Sequence, residues 1–409
     1  MTTRNDCQAL DARDPLAQIR ERFMLPEGVI YLDGNSLGAL PKAVIERQRR
    51  VVEDEWGRGL IRSWNEAGWY TAPARIGAKI ARLIGANADE VIVTDSTSVD
   101  LFKLLNGALK LRSDRDTILS VVDDFPTDSY IAQGLVPFTG TAFMRVPAHE
   151  LIDAIDEATA VVMLTHVNYK TGFIHDMAKI TAAAHAQGAL VLWDLSHSAG
   201  ALDLKLNAAN ADLAVGCGYK YLNGGPGAPA YLFVAKRHQD AIRQPLTGWF
   251  GHKSPFDFAP DFVPAQGIAR MLTGTPPMLA MAALEAALDV FADLDMAQVR
   301  AKAASLTHLF ITLAEERLLR HGFSLASPRD ANQRGAQVSL AHPQGYAIMQ
   351  ALIARSVIGD FRAPDIDRFG LVPLYVRHVD VFDAVAIIDE VMATRAWDTA
   401  EYQARKPVT

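Results

Sequence analysis

The sequence predicts an α/β protein: a large doubly wound, mostly parallel sheet, followed by a smaller α+β unit. Two patterns predict it. Short, almost continuously apolar runs bounded by polar residues or glycine recur through the middle of the chain. Unbroken rather than alternating hydrophobicity marks strands buried on both faces. Between several of these runs lie longer stretches of helical periodicity, and such β–α alternation builds a parallel sheet covered by helices. At 409 residues, half of them hydrophobic, the chain is long enough for more than one core.

Taken in order, the strand candidates are Val91–Thr94, Ile118–Val122, Val161–Thr165, Leu190–Trp193, Leu213–Val215 and Ala230–Val234. Helical patterns at Val99–Leu111 and Met177–Gln187 separate several of them. Thr275-Pro276-Pro277 introduces a helix over Pro277–Val290, since proline is tolerated in a first helical turn. Helical periodicity continues over Ala297–Arg320, followed by strand-like runs at Gln337–Leu340 and Leu371–Leu374 and a last helix near Phe382–Arg395. The expected division is 1–65 as an N-terminal segment packing on the small domain, 66–270 as the large α/β domain, and 271–409 as a small C-terminal α+β domain.

Composition narrows the function. Forty basic against 47 acidic side chains leave a net charge of −7, which argues against a nucleic-acid partner. Two cysteines, Cys7 and Cys217, make neither a disulfide framework nor a four-thiolate zinc site, and no H-E-x-x-H occurs, so no metal is expected. The first residues are polar and charged, and no window of about 18 apolar residues lacks charge, so neither a secretory signal nor a membrane partner is expected. A cytoplasmic enzyme is the expected class.

The most informative stretch runs from Asp212 to Gly227, where a strand candidate leads to Gly218-Tyr219-Lys220-Tyr221 and then a glycine-rich turn. Lys220 is the only charge between Asp212 and Lys236. Small and aromatic neighbours would take it out of water, the setting of a Schiff-base lysine, although a lysine at a core edge can also be purely structural. Upstream, Asp194 ends a buried strand candidate and His197 follows three residues later. Carboxyl ends of strands are where open α/β sheets bind ligands. An aspartate followed 26 residues on by such a lysine is what pyridoxal phosphate needs, one group for an imine and one for the pyridinium nitrogen. Asp95-Ser96-Thr97-Ser98, between a strand and a helix, offers hydroxyls and free amides to a phosphate, and Phe125 in Phe125-Pro126-Thr127-Asp128 offers an aromatic face.

Two motifs are decoys. Gly225-Pro-Gly227-Ala-Pro-Ala230 mimics a dinucleotide fingerprint, but it carries prolines and leads into a strand instead of a helix. Gly34-Asn35-Ser36-Leu37-Gly38 matches the nucleophile elbow of serine hydrolases, but an elbow follows several strands and only about 30 residues precede this one.

With these residues in place, the chain resembles the kynureninases, pyridoxal-phosphate enzymes of fold type I. The resemblance spans nearly the whole length: Tyr31-Leu-Asp-Gly-Asn-Ser-Leu-Gly38, Gly59-Leu-Ile-Arg-Ser-Trp64, Asp95-Ser-Thr-Ser98, Phe125-Pro-Thr-Asp128, Leu164-Thr-His-Val-Asn-Tyr-Lys-Thr-Gly172, Trp193-Asp-Leu-Ser-His-Ser-Ala-Gly200, Gly218-Tyr-Lys-Tyr-Leu-Asn-Gly-Gly-Pro-Gly227 and Gly248-Trp-Phe-Gly-His252.

It implies that Lys220 forms the internal aldimine and shuttles protons, that Asp194 pairs with the ring nitrogen beside His197, and that Phe125 stacks on the ring. Thr97, Ser98, Tyr219 and Trp249 then serve the phosphate, Pro126, Thr127, Asp128 and Thr165 belong to the cofactor site, and Thr275 comes from a neighbouring subunit. Arg368, in Arg368-Phe-Gly-Leu-Val-Pro-Leu-Tyr375, grips the substrate carboxylate, while Ser36 and Trp64 line the aromatic end. The implied reaction is hydrolytic Cβ–Cγ cleavage of L-kynurenine, or 3-hydroxykynurenine, to anthranilate, or 3-hydroxyanthranilate, and L-alanine. It passes through aldimine and ketimine stages, with Tyr219 as the acid at the β-carbon, in a homodimer serving tryptophan degradation. Cysteine desulfurases of the same fold need a cysteine in the C-terminal half, and none follows Cys217.

Overall fold

A computed structural model describes residues 2–406. Its principal sheet has seven strands in the spatial order Val91–Val93, Tyr231–Val234, Leu213–Gly216, Leu190–Asp194, Thr159–Thr165, Thr117–Val121, Ala142–Val146. The last five pair in parallel, while Tyr231–Val234 runs antiparallel to both of its neighbours. Along Leu190–Trp193, Leu190 and Leu192 join one hydrophobic core and Val191 and Trp193 the other. The sheet is thus a layer between two cores, which is why its central strands read as unbroken apolar runs.

A second, antiparallel sheet has the order Ser324–Leu325, Gln337–Ala341, Ile366–Gly370, Asp360–Arg362. The N-terminal residues lie against this part of the chain. Ile30–Tyr31 pairs in parallel with Val357–Ile358. The Asp11 carboxylate accepts from the amides of His378 and Val379, at 2.7 and 3.0 Å, at the start of helix His378–Ala393. Helix Lys42–Arg50 packs instead on helix Met278–Leu288.

The α/β class and the six large-sheet strands agree with the sequence expectation, with ends shifted by one or two residues. Three features differ. Leu371–Leu374 is not a strand; the strand is Ile366–Gly370 just before it. Pro373 has no amide to donate, whereas Ile366–Gly370 pairs along its whole length with Gln337–Ala341. Ala142–Val146 is an additional edge strand, and helix Pro126–Thr139 follows Phe125 directly.

Asp212 ties the strands to their surroundings. Its carboxylate accepts from the Val191 amide at 2.9 Å, from His185 and His238 Nε2 at 2.8 Å each, and from Arg237 at 2.7 Å. Burial alone would raise its pKa, but hydrogen bonds from His238, His185 and Val191 outweigh burial and hold it at about 2. A depressed carboxylate pKa stabilises the fold above the unfolded value, and that stability is lost as pH falls towards the folded one. The shift is worth about 2 kcal/mol. Urea midpoints measured from pH 7 down to pH 2 should therefore show Asp212→Asn less stable by about that amount at pH 7, with the gap closing between about pH 4 and pH 2.

Candidate active site

The parallel register brings the chemistry to one edge of the sheet. Thr165 and Asp194 are direct neighbours at the carboxyl ends of adjacent strands, and Asp194 faces Val215 on the next. From there the chain continues through Cys217 into a closed turn, in which the Gly224 amide donates to the Gly218 carbonyl at 2.9 Å and the Asn223 amide to the Lys220 carbonyl at 2.9 Å. A side chain at Gly218 would run into the Pro229 carbonyl, so glycine is required at the mouth of this turn. A second segment clamps it from outside: the Gly38 amide donates to the Tyr219 carbonyl at 2.8 Å, and a Cβ on Gly38 would strike the Lys220 carbonyl. The serine at Ser36 is therefore part of a buttress against the lysine turn. Its hydroxyl donates to Asp360 at 2.6 Å, a bond suited to positioning and not to nucleophilic attack.

Within the turn, Lys220 points into a cavity of about 180 Å³ lined by Thr97, Ser98, Phe125, Thr127, Asp128, Thr165, Val167, Asp194, Ser196, His197, Tyr219 and Lys220. Lys220 is only 9% exposed. Its Nζ lies 3.1 Å from His197 Nε2 and 5.6 Å from the centre of the Phe125 ring. Burial, and then the Lys220 charge, hold His197 well below its ordinary pKa, so it is a neutral imidazole. Its Nε2 shares a hydrogen bond with the Lys220 amine, and its Nδ1 is a buried atom with no partner among the described residues.

Opposite stand three carboxyl groups. Asp194 accepts from the Ser196 amide at 2.7 Å. Asp124 accepts from the Thr165 hydroxyl, from the Thr165 amide at 3.2 Å and from the Phe125 amide at 2.9 Å, and burial pushes its pKa up to about 6. Asp128 is driven far above the ordinary range by burial and by its neighbours Asp194 and Asp124, and its Oδ2 is buried without a partner among the described residues. Three crowded carboxyls facing a single lysine are short of positive charge, and a protonated ring nitrogen would supply it.

At the other end of the cavity, Thr97 and Ser98 open helix Thr97–Leu111, with Ser96 capping it by accepting from the Val99 amide at 3.4 Å. The turn before it is locked from below: the buried Lys103 ammonium pairs with Asp95 and donates to the Met271 carbonyl at 2.6 Å. Free amides and two hydroxyls at a helix start form an anion cradle.

The expected residues divide into two groups. Thr97, Ser98, Phe125, Thr127, Asp128, Thr165, Asp194, His197, Tyr219 and Lys220 meet around one cavity. Pro126 forms the first turn of the helix behind Phe125 and does not line it. Trp64 and Trp249 sit 6.3 Å apart in a separate surface groove with Ile61, Tyr70, Phe256 and Phe258, and Thr275 is exposed on the surface. Arg368 is buried beneath Ser36 with its fork already engaged, bidentate to Asp360 and donating to the Tyr169 carbonyl at 2.6 Å. Asp124 escaped the sequence reading, although its place at the end of an apolar run, next to Phe125, is the same signal that marked Asp194.

Comparison with known proteins follows the same lines. A family model described as the kynureninase C-terminal domain matches residues 299–388. Proteins named kynureninase from Pseudomonas fluorescens and from Burkholderia mallei (strain SAVP1) are 52% and 53% identical to this chain, over the full length of both chains in each case. Among solved structures, a cysteine desulfurase from Thermococcus onnurineus NA1 superposes with a TM-score of 0.79 at 20% identity, covering 92% of this chain and 98% of that one. A cystine C–S lyase variant with glycine covalently linked to its pyridoxal-phosphate cofactor superposes with a TM-score of 0.80 at 20% identity, covering 91% and 99%.

The clamp on the lysine turn yields a direct test. Gly38→Ala must push the Tyr219–Lys220 backbone away, and the cost of such overpacking is about 1–3 kcal/mol. Titration with pyridoxal phosphate, followed by absorbance, should show uptake about 5- to 150-fold weaker than in the unaltered chain.

Proposed function

The chain belongs to the kynureninase family, and on that premise we propose which of its residues carry the reaction. The reaction is hydrolytic cleavage of the Cβ–Cγ bond of L-kynurenine to anthranilate and L-alanine, with pyridoxal 5′-phosphate as cofactor. The observation that carries the assignment is the Lys220 cavity. A lysine with a neutral imidazole partner, three crowded carboxyls and a hydroxyl-bearing helix start complement the aldehyde, the ring nitrogen and the phosphate of that cofactor.

When bound, pyridoxal phosphate supplies an electron sink for the electron pairs freed at the substrate's Cα and Cβ. Lys220 would hold the cofactor through Nζ, and its amine would move the proton at the substrate's Cα. Asp194 holds the proton on the ring nitrogen. Asp124, bonded to Thr165 and to the Phe125 amide, keeps both residues in place. Phe125 would lie against the ring, and Thr97 and Ser98 would hold the phosphate. His197 orients the Lys220 amine. Burial, then the neighbouring Cys217 and Asp194, push the Tyr219 phenol up, so it stays protonated and is the acid that delivers a proton to Cβ. Ser36 and Trp64 line the aromatic end, and the arginine cluster around Arg368 meets the substrate carboxylate. 3-Hydroxykynurenine is the alternative substrate.

The working unit is a homodimer with shared active sites. The groove that holds Trp64 and Trp249 exposes Ile61 and Phe258 at 78% and 76%, a contiguous apolar surface of the kind that marks an interface. A second copy seated there would bring Trp249 and Thr275 to its neighbour's cavity. The same proposal divides the chain at 1–65, 66–270 and 271–409, with the cofactor in the second part. Two buried free thiols, Cys7 and Cys217, support a reducing, cytoplasmic setting.

Cofactor-loaded protein given L-kynurenine should release fluorescent anthranilate and equimolar L-alanine, with 3-hydroxykynurenine assayed in parallel. Lys220→Ala should lower turnover at least about a thousandfold, and Tyr219→Phe about a hundredfold. Wild-type rates in Lys220→Ala would overturn the assignment; unchanged rates in Tyr219→Phe would remove the role of the phenol alone.

A further inference from the structure

Arg368 alone is poorly placed to receive a carboxylate. Its side chain is 2% exposed. One edge of the guanidinium is bidentate to Asp360, and the other donates to the Tyr169 carbonyl at 2.6 Å and to Ser36 Oγ at 3.2 Å. A second guanidinium lies beside it. Arg362, at the end of the adjacent strand, shares Asp360 Oδ2 at 2.7 Å and reaches Ser36 Oγ at 3.5 Å. Its side chain is 35% exposed, its Nη1 donates to the Phe361 carbonyl at 3.0 Å, and its Nε has no hydrogen-bond partner among the described residues.

The cluster's charge favours one more anion. Two guanidiniums face two carboxylates, Asp360 and Asp33, but burial and then the Asp360 charge push Asp33 up to about 7. Near neutral pH the group therefore carries a partial positive excess. Asp33 Oδ1 is also buried without a partner among the described residues. The cluster borders the lysine: the Tyr169 ring packs edge-on against Phe125 at 5.2 Å, Lys220 Nζ lies over Phe125, and both Arg368 and Arg362 depress His197. The amino and carboxylate groups of an α-amino acid are separated by one carbon, so the guanidinium that receives the carboxylate must lie near the Lys220 amine.

We propose that Arg362 is a second carboxylate-recognition residue of this site, offering the free Nε–H that Arg368 lacks while Asp360 and the Tyr169 carbonyl hold it. The inference rests on the kynureninase reading and goes beyond it by adding a specificity-determining residue.

The test uses cofactor-loaded enzyme and two ligands, L-kynurenine and kynuramine, which is kynurenine without its carboxylate. Arg362→Gln should raise KM for kynurenine about tenfold with little change in kcat, and should leave the inhibition constant of kynuramine unchanged. Spectral titration with a competitive aroyl amino acid should show the same weakening without turnover. Arg362→Lys, which keeps the charge and loses the Nε–H, should recover part of the loss. An unshifted KM, or equal shifts for kynurenine and kynuramine, would overturn the inference. The unaltered enzyme run alongside separates the two claims: no anthranilate from it sinks the kynureninase chemistry and this inference together, whereas turnover with an unshifted KM sinks only the arginine.

Discussion

An amine held out of water with a neutral imidazole as its nearest partner is the constraint on which the site depends. Lys220 Nζ lies 3.1 Å from His197, and no carboxylate lies within ion-pair distance of it among the described residues. Such a lysine is expensive to bury and stays in place only if its backbone is fixed from several sides. The closed turn from Gly218 to Gly224 fixes it from within, and the Gly38 amide fixes it from the N-terminal segment. The facing carboxyls are set by the sheet, because the parallel register places Thr165 beside Asp194 and leaves Asp124 to bind Thr165. Residues from five separated stretches of sequence converge because strands that end on one side of a parallel sheet must deliver their loops there.

The fold is shared with enzymes that do different chemistry. Cysteine desulfurases superpose closely at 20–21% identity, so the architecture alone does not choose a reaction. The side chains choose it. Both cysteines of this chain are buried, and none follows Cys217 in the later part of the sequence, where a desulfurase would need one. The serine-hydrolase pattern around Ser36 is likewise resolved by contact: its hydroxyl serves Asp360 and Arg368, members of a charge cluster.

Much of this was legible in the sequence, and the exceptions have physical reasons. Buried strands such as Leu190–Asp194 announce themselves because both faces need apolar side chains. The edge strand Ala142–Val146 is only half covered and carries Arg145, so it shows no such run. Helix Pro126–Thr139 contains Gly134 and Pro137, which blur its periodicity. Ile366–Gly370 was displaced by one segment because Asp367 and Arg368 are buried charges inside a strand, while the apolar run after it contains Pro373. Buried charge defeats hydrophobic patterning wherever a site is built. The same effect hid Asp124 and Arg362, whose roles emerge only from what they touch.

The central claim is that Lys220, of all the lysines, holds the cofactor. Reduction of the pyridoxal-phosphate-loaded protein with borohydride, followed by proteolysis and mass spectrometry of the peptides, tests it most directly. A phosphopyridoxyl group on the peptide containing Lys220, and on no other, is the predicted result. The label on a different lysine, or its absence from a protein that still releases anthranilate, would contradict it.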